Sequence, residues 1–357
     1  GPPTTSHEDG MAALNLEMPE RVPRFDPSAP VYHWDLVEAV TGITVTPETT
    51  PERRLKAQRA FLKAWDYGIF FGCLIHGHEL KALHTSMGHA VYAGDGSDFV
   101  AHRECPFTDV EEVFALDPFE VYGEHDHATL VDRFNRHYHE RCENYPDTVN
   151  TTGIYVTLMS GMIEILGWDM LLTAAGADAD RLGDVYNRYA NWIQQYYDAL
   201  AASDAKVVYC HDDLVWTEGP FISPAWYRKY IFPNLEKLWT PLRAAGKKIT
   251  FVCDGDYTMF ADDIAACGND GFWFECFTDL EVMVEKFART HYLIGNGDCR
   301  PLTFGDKAAV RAEVERCMNA GRDCPGYIMC ISGHIPPNVP VANALYYDEV
   351  FRELRRR

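Results

Sequence analysis

Five short apolar segments in the second half of the chain each end in a cluster of polar residues, and this repeat limits the fold most. The segments cover residues 207–209, 249–252, 271–274, 292–295 and 326–331, and helix-like patterns lie between them. Strands that alternate with helices in this way predict parallel βαβ units. The polar residues that follow the strands would then gather at the carboxyl ends of one sheet.

Three earlier segments bring the number of predicted strands to eight. They are residues 20–25, 69–75 and 152–159. Eight such strands predict an α/β fold, a (β/α)8 TIM barrel with a short N-terminal extension. A doubly wound open sheet is the alternative. It is less favoured because no GxGxxG turn follows any strand and because five consecutive strands carry polar ends.

The domain organisation follows from length and composition. The chain has 357 residues and is 47% hydrophobic, which is enough for a substantial core. Residues 11–357 are expected to form a single barrel domain. Residues 1–10 are polar and begin with Gly-Pro, so they are expected to be a tag remnant or disordered.

The net charge limits the possible partners, and the cysteines indicate the cellular compartment. A formal net charge of -21, from 53 acidic and 32 basic residues, argues against nucleic acid or an anionic membrane surface as the partner. The 11 cysteines show no paired spacing, which is typical of reduced thiols in a cytoplasmic enzyme. No signal peptide or membrane-spanning run is predicted. The oligomeric state stays open.

Acidic residues dominate the predicted strand ends. Carboxylates that lie close together in a low dielectric raise one another's pKa, so either some are protonated acids or a cation neutralises them. A turn after each strand is the simpler interpretation of any single cluster, but several equivalent clusters favour function. The predicted catalytic residues are Asp212, Asp213, Asp254, Glu275, Asp298 and His334.

Aromatic residues are interleaved with these acids and predict a flat, partly apolar substrate. Some of these rings must belong to the core. The predicted substrate-binding residues are His211, Trp216, Tyr257, Trp273 and Phe277. His76 and His78, which follow the second predicted strand, are interpreted as solvated or structural. The sequence has no GxSxG elbow and no Walker-type loop, so hydrolase and kinase functions are disfavoured.

A zinc site is a further expectation at the same strand ends. Cys253, Asp254, Glu275 and His334 could act as ligands and leave one position open. No CxxC or HxxxH motif supports this interpretation. Buried thiols that only fill space are the alternative.

Several sequence blocks resemble the uroporphyrinogen decarboxylase superfamily, specifically its branch of corrinoid-dependent methyltransferases. The resemblance is strongest from residue 207 to the end of the chain and implies the same barrel. The blocks are ERVPRF near the start, HDDLVWTEGPFISPAWYRKYIFPNL after Cys210, RAAGKKI, FWFECF around Glu275, IGNGDCRPL and SGHIPPNVPVANA.

The chain departs from the family pattern at two places. It lacks the early RQAGRY motif with which the porphyrin decarboxylases bind substrate carboxylates. It also lacks the zinc ligands of the thiol-activating relatives, since Val252 stands where they have a His and their Cys on the last strand, near the position of Gly333, is missing. The resemblance therefore implies neither tetrapyrrole decarboxylation nor a thiol-activating zinc site.

The resemblance implies transfer of a methyl group from a small substrate, such as a methoxylated aromatic, to the cobalt of a corrinoid carried by a separate protein. Asp254 and Glu275 would protonate the leaving oxygen or bind a Lewis acid there. A metal-independent decarboxylase or lyase for an aromatic or cyclic acid is the alternative, with Asp213 or Asp254 as the proton donor. A binding protein on a degenerate barrel is the third hypothesis.

Overall fold

A computed structural model describes residues 3–81, 83–85, 92–95, 104–332 and 334–357. Its strands are short and parallel, and each is buried along most of its length. The strands are β1 Ile69–Phe70, β2 Val149–Asn150, β3 Thr152–Ile154, β4 Val207–His211, β5 Lys248–Cys253, β6 Gly271–Phe274, β7 Tyr292–Asn296 and β8 Tyr327–Cys330.

The strands follow one another around a ring in chain order. β3 to β8 form a six-stranded sheet in sequence order, and β1 pairs with β2. Only Thr151 separates β2 from β3, so the two occupy one place in the ring. Arg24 forms parallel bridges to both Tyr67 and Met329, which joins the β8 side of the ring to the β1 side. The predicted eight-stranded TIM barrel is confirmed, with the Arg24 segment in the first place.

Helices cover the outside of the ring, as parallel strands require. Two short 3-10 helices, Gly77–Leu80 and Thr258–Phe260, follow β1 and β5. The α-helices of the described residues are α1 Ser6–Leu14, α2 Ala29–Tyr32, α3 Trp34–Thr41, α4 Pro51–Ala64, α5 Val110–Phe114, α6 Pro118–Tyr122, α7 His127–Asn144, α8 Leu158–Ala177, α9 Ala179–Ala202, α10 Pro224–Tyr230, α11 Phe232–Ala244, α12 Ala261–Cys267, α13 Leu280–Phe287, α14 Arg300–Phe304, α15 Lys307–Gly321 and α16 Val341–Leu354.

The N-terminal residues contribute more to the fold than the sequence predicted. Helix α1 begins at Ser6, and Thr5 and Glu8 form a capping box at its start. Asp9 is buried and accepts a hydrogen bond from Arg21 Nη2 at 2.6 Å. The expectation that residues 1–10 lie outside the fold is therefore wrong for residues 6–10, because this half of α1 packs and pairs with the rest of the chain.

The third barrel strand ends earlier than predicted. Residues 152–159 were expected to form one strand, but β3 ends at Ile154 and α8 begins at Leu158. The physical reason is Asp212, whose carboxylate accepts hydrogen bonds from the backbone N–H groups of Leu158 and Ser160 at 3.2 and 2.8 Å. An acceptor at this point satisfies the first N–H groups of a helix.

Helix α8 resembles a membrane-spanning helix in its length and apolar composition. Within the described part of the chain, it is the one helix whose length and composition would allow it to cross a bilayer. However, 56% of its most apolar window is buried inside the protein. Gly167 interrupts the helix with a φ of 73°. These features are those of a core helix that is kinked as it follows the barrel.

Candidate active site

An open cleft lies at the carboxyl ends of the strands. Its walls come from the residues that end or follow β1, β3, β4, β5, β6 and β8, together with Arg141 of α7. The position is the one that the barrel predicts, because side chains that follow parallel strands point into the loops on the same side. We call this cleft the mouth cavity.

Three carboxyl groups meet where β4, β5 and β6 end. Asp213 Oδ1 accepts hydrogen bonds from the backbone N–H of Asp254 at 2.9 Å and from His211 Nε2 at 3.1 Å. Glu275 Oε1 accepts from the backbone N–H of Gly255 at 2.6 Å. The parallel register places His211 beside Val252 and Cys253 beside Phe274, so the residues that follow are brought together. We call Asp213, Asp254 and Glu275 the acid cluster.

His211 forms an ion pair with the acid cluster. Burial of the imidazole would lower its pKa, but the charge and hydrogen bond of Asp213 outweigh burial and raise the pKa of His211 to about 9. Its Nδ1 lies 3.0 Å from the Tyr155 carbonyl oxygen, to which it donates when protonated. The Tyr155 ring stacks on the imidazole at 3.8 Å between centroids. The pair therefore holds a negative charge on Asp213 and a positive charge on His211.

The pKa values of the other two members of the acid cluster, Asp254 and Glu275, are raised. Asp254 is accessible from the cavity, but the protein around it removes bulk water, and this burial together with the charges of Asp213 and Glu275 raises the pKa of Asp254 well above its usual value. Burial is also the main cause that raises the pKa of Glu275 to about 7. Both groups can therefore donate a proton, as a general acid must.

The predicted zinc ligands do not converge on one point. Among the described residues, no group of three His, Cys, Asp or Glu side chains is arranged to hold a metal ion. The Cys253 thiol donates to the Asp254 carbonyl at 3.1 Å, and burial raises the pKa of the thiol, which opposes the thiolate that zinc requires. His334 lines the cavity after β8, beside the Tyr92 ring. Gly333 lies outside the described residues.

Asp213 contacts the lining residues His211 and Asp254 without itself lining the cavity, and Asp212, which the sequence also placed among the catalytic residues, does not line it either. Asp212 is buried behind the cavity wall, where its carboxylate receives the N–H groups at the start of α8. Burial raises the pKa of Asp212 to about 7. Its geometry is that of a helix-capping residue, and adjacent residues of a strand point to opposite sides, which separates it from Asp213.

Asp298 and Phe277 also lie outside the cavity lining. Both Asp298 oxygens accept from the Arg300 guanidinium at 2.6–3.0 Å. Despite partial burial, which opposes it, this pairing lowers the pKa of Asp298. Phe277 is 38% exposed, and Arg300 lies 6.0 Å from its ring centroid. Asp298 is therefore an ionised partner of Arg300 and not a proton donor.

Two of the predicted aromatic contacts are likewise elsewhere. Tyr257 is fully buried, and its hydroxyl donates to the Trp273 carbonyl at 3.2 Å. Trp216 is 43% exposed and stacks on Trp168 at 5.8 Å, away from the cavity lining. Trp273 and His211 do line the cavity. The Trp273 ring stacks on Phe71 at 5.6 Å with an interplanar angle of 27°.

The opposite wall of the cavity contains residues that sequence reasoning missed. Cys73 and His76 line it, with the thiol 3.1 Å from His76 Nε2. The His76 ring stacks on Tyr155 at 5.2 Å, so the interpretation of His76 as merely solvated or structural does not fit its position. The position of His76 just after a predicted strand could have indicated that it lies at the mouth. Arg141 lies on a helix, and no sequence signal linked it to the mouth.

The architecture defines a parallel (β/α)8 barrel enzyme fold with an acid-lined mouth, and comparison with known proteins gives its family. The uroporphyrinogen decarboxylase (URO-D) family matches residues 75–354. The chain therefore belongs to the uroporphyrinogen decarboxylase family, as its sequence blocks predicted.

Curated relatives and a solved structure agree with this assignment. The uroporphyrinogen decarboxylase of Pelobacter propionicus is 25% identical over 177 residues, which are 48% of this chain and 50% of the relative. That of Geobacter sulfurreducens is 26% identical over 210 residues, 57% of this chain and 59% of the relative. The chain thus spans about half the length of the curated relatives it matches. A methyltransferase from Methanosarcina mazei shares the fold, with a TM-score of 0.65, 17% identity and 98% coverage of both chains.

Proposed function

We propose that this protein is a methyltransferase that moves a methyl group from a methoxylated aromatic substrate to the cobalt of a corrinoid carried by a separate protein. The observation that carries the proposal is the acid cluster, in which Asp254 and Glu275 line a cavity walled by aromatic rings and have raised pKa values. The shared fold of the Methanosarcina mazei methyltransferase supports the same reaction class.

Cleavage of a methyl ether requires an acid near the leaving oxygen, and the acid cluster can provide one. A reduced corrinoid supplies the nucleophile that accepts the methyl carbon. The bond between the methyl carbon and the ether oxygen breaks, and its electron pair stays on the oxygen. Asp254 gives its proton to that oxygen, so that a phenol leaves instead of a phenolate. The Asp254 carboxylate then regains a proton from solvent.

Neighbouring groups keep Asp254 ready for this step. Asp213 is held as an anion by His211, and its Oδ1 accepts the backbone N–H of Asp254. A fixed negative charge beside Asp254 favours the protonated acid. The charge of Glu275, when this group is ionised, adds to the effect. The Trp273 and Phe71 rings offer a flat apolar surface for the substrate ring.

The open end of the barrel offers a surface for the corrinoid protein. Exposed apolar side chains occur in the segments after β4, β5, β6 and β7, which are on the same side as the mouth cavity. They are Trp216 at 43% exposure, Met259 at 49%, Phe277 at 38% and Phe304 at 84%. Exposed apolar groups around a site are typical of protein interaction surfaces. We call these four residues the apolar rim.

The proposal places the protein in the cytoplasm. All 11 cysteines are free thiols. Thiols stay reduced in the cytoplasm, where a cobalt(I) acceptor is also protected from oxidation. Two of these thiols, Cys73 and Cys253, line the mouth cavity.

The test is an anaerobic assay with purified protein, reduced cobalamin as the methyl acceptor, and a panel of methoxylated benzoates and phenols. The expected result is equal formation of methylated cobalamin, followed by absorbance, and of the demethylated phenol, followed by mass spectrometry. Reactions without protein or without cobalamin are the controls. If neither free nor protein-bound reduced cobalamin supports phenol formation from any member of the panel, the proposal is wrong.

A decarboxylase acting on an aromatic acid is the second candidate. The names of the curated relatives favour it, and Asp254 could protonate the carbon that loses CO2. The same panel discriminates the two functions, because CO2 release without cobalamin would support decarboxylation. Methyl transfer with the carboxyl group retained in the product would exclude it for that substrate.

A further inference from the structure

We propose that Arg141 forms a carboxylate-binding subsite in the mouth cavity, so that the substrate is a methoxylated aromatic monocarboxylic acid. The methoxyl group of this substrate rests on the proposed function, and its carboxylate is inferred from the structure. Arg141 lies near the end of α7 and reaches the cavity wall next to the strand end of β1.

The Arg141 guanidinium is fixed in place by the backbone and by rings. Its Nη2 donates to the Phe70 carbonyl oxygen at 2.6 Å. The guanidinium carbon lies 4.8 Å from the Phe70 ring centroid and 5.5 Å from that of Tyr145. A guanidinium held in this way has lost most of its freedom before any ligand arrives, which reduces the entropy cost of binding.

Gly72 leaves room for the guanidinium. A Cβ atom at this position would lie 2.3 Å from the Arg141 Cζ and 2.5 Å from its Nε and Nη1. Any residue other than glycine would therefore push the guanidinium away. The chain thus combines a long cation on α7 with a missing side chain on the strand end that it approaches. Because the two positions are 69 residues apart in the sequence, only the fold reveals their relation.

Arg141 has no carboxylate partner within the described residues. The ionisable groups that raise its pKa are Tyr145, Cys73 and Cys142, and none of them is a carboxylate. Its Nε is buried and makes no hydrogen bond in the described part of the chain. By contrast, the guanidinium of Arg24 lies 2.6 Å from Asp348. A desolvated cation without an anion is costly, and a ligand anion would remove that cost.

The subsite lies across the ring from Glu275, one member of the acid cluster. β6, which precedes Glu275, is four places from β1 in the eight-place ring, so the two strand ends face each other. The Phe71 and Trp273 rings, one from each side, stack between them. A flat ring above this stack would direct a carboxylate to Arg141 and a substituent on its far side to the acid cluster.

The charges favour a monocarboxylate over a phosphate. One guanidinium neutralises one negative charge and matches the planar carboxylate with two parallel hydrogen bonds. A dianionic phosphate would keep excess negative charge opposite Asp213, which His211 holds in its ionised form. Pairing with Arg141 also stabilises the carboxylate against loss of CO2. The carboxylate is therefore a binding group, and the reacting methoxyl group lies at the other end of the ring.

The test measures binding without any corrinoid, at pH 7.5, by calorimetry. The probes are 4-methoxybenzoate and its neutral analogue 4-methoxybenzamide. Wild-type protein is expected to bind the benzoate more tightly. Arg141→Gln is expected to weaken benzoate binding by about 10- to 100-fold, as loss of a charge-assisted hydrogen bond does, and to change benzamide binding by less than about threefold. Arg141→Lys, which keeps the positive charge, is expected to lose less affinity for the benzoate than Arg141→Gln does.

Two further variants separate recognition from damage to the fold. Gly72→Ala displaces the guanidinium while Arg141 stays in the chain, and it is expected to reduce benzoate binding selectively. Arg136→Gln, on an exposed arginine of the same helix, is the matched control and is expected to change nothing. Equal losses for both probes, or no preference for benzoate in the wild type, would overturn the inference.

The outcome is independent of the methyl-transfer assay. Selective benzoate binding without methyl transfer would contradict the proposed function and leave the Arg141 subsite standing. Methyl transfer from 4-methoxybenzoate with unchanged kcat/KM in Arg141→Gln would overturn the subsite and leave the proposed function standing.

Discussion

The two walls of the mouth cavity differ in the kind of charge they offer. The acid cluster on β4, β5 and β6 consists of groups whose protons can move, and its neighbour His211 holds a charge only because Asp213 lies 3.1 Å away. The opposite wall offers Arg141, whose charge is permanent at any ordinary pH. Chemistry therefore belongs to the first wall and recognition to the second.

This division has a physical reason. A proton donor must be close to losing its proton, and burial beside other acids provides that state for Asp254. A recognition group must not change its charge during the reaction. A cation next to the acid cluster would stabilise the ionised carboxylates and lower their pKa, so the two kinds of group need to lie apart.

The largest expected effect comes from removing the proton of the acid cluster. Asp254→Asn keeps the size of the side chain but cannot donate an acidic proton, so kcat for methyl transfer is expected to fall by about 10²–10⁴-fold. Calorimetry should show that 4-methoxybenzoate binding changes by less than about threefold, because recognition lies on the other wall.

The matched control for this variant is Asp279→Asn. Asp279 caps α13 on the same side of the barrel, and an Asn side chain can keep that cap. Its kcat is expected to match the wild type. A wild-type kcat in Asp254→Asn would contradict the assignment of the two walls.

The next effect concerns stability and separates Asp212 from its neighbour Asp213. Asp212→Ala leaves two buried N–H groups at the start of α8 without an acceptor, so the free energy of unfolding is expected to fall by about 2–4 kcal/mol in urea denaturation. Asp212→Asn keeps one acceptor oxygen, so its free energy of unfolding should fall less. Asp213→Asn is expected to affect kcat far more than stability. A stable Asp212→Ala protein with a large loss of kcat would instead return Asp212 to the catalytic residues.

A third effect is the pH dependence of the acid cluster. Because the pKa of Glu275 is raised to about 7, its neutral form is present below that pH and is lost as the pH rises through it. Its new charge would repel the electron pair on the leaving oxygen, so kcat/KM is expected to fall by up to about tenfold per pH unit above that point. Glu275→Gln stays neutral and should flatten this decline between pH 7 and 8. If kcat/KM of Glu275→Gln falls with pH as in the wild type, a group other than Glu275 causes the decline.

The sequence predicted the two walls unequally, and the reason is geometric. Asp254 and Glu275 directly follow strands, Asp213 lies two residues after one, and a closed ring must bring such positions together. Asp212 also follows the rule, but the alternating direction of strand side chains turns it to the back of the wall, which spacing alone does not reveal. Asp298 fails because its partner Arg300 lies two residues further on, and local pairing competes with the mouth.

Arg141 could not be predicted from the sequence in any comparable way. It belongs to a helix, where an arginine is usually solvated, and its place in the mouth depends on the packing of α7 against β3 and on the space above Gly72. The barrel itself was predictable because apolar strands and helices alternate along the chain. The recognition wall depends on contacts between distant segments, so it required the folded structure.

The smallest expected effect lies beyond both walls, at the apolar rim. Phe304 is 84% exposed in α14, which follows β7 on the side of the acid cluster. If the corrinoid protein docks there, Phe304→Ser removes apolar contact area worth about 1 kcal/mol, so KM for that protein is expected to rise about fivefold. The kcat value and benzoate binding should stay unchanged, because neither wall is altered. Met18→Ser, an exposed apolar residue before the first strand and so at the other end of the barrel, is the control. An equal rise in KM for both variants would mean that the rim does not select the partner, and the acid cluster would then have to be reached from another side.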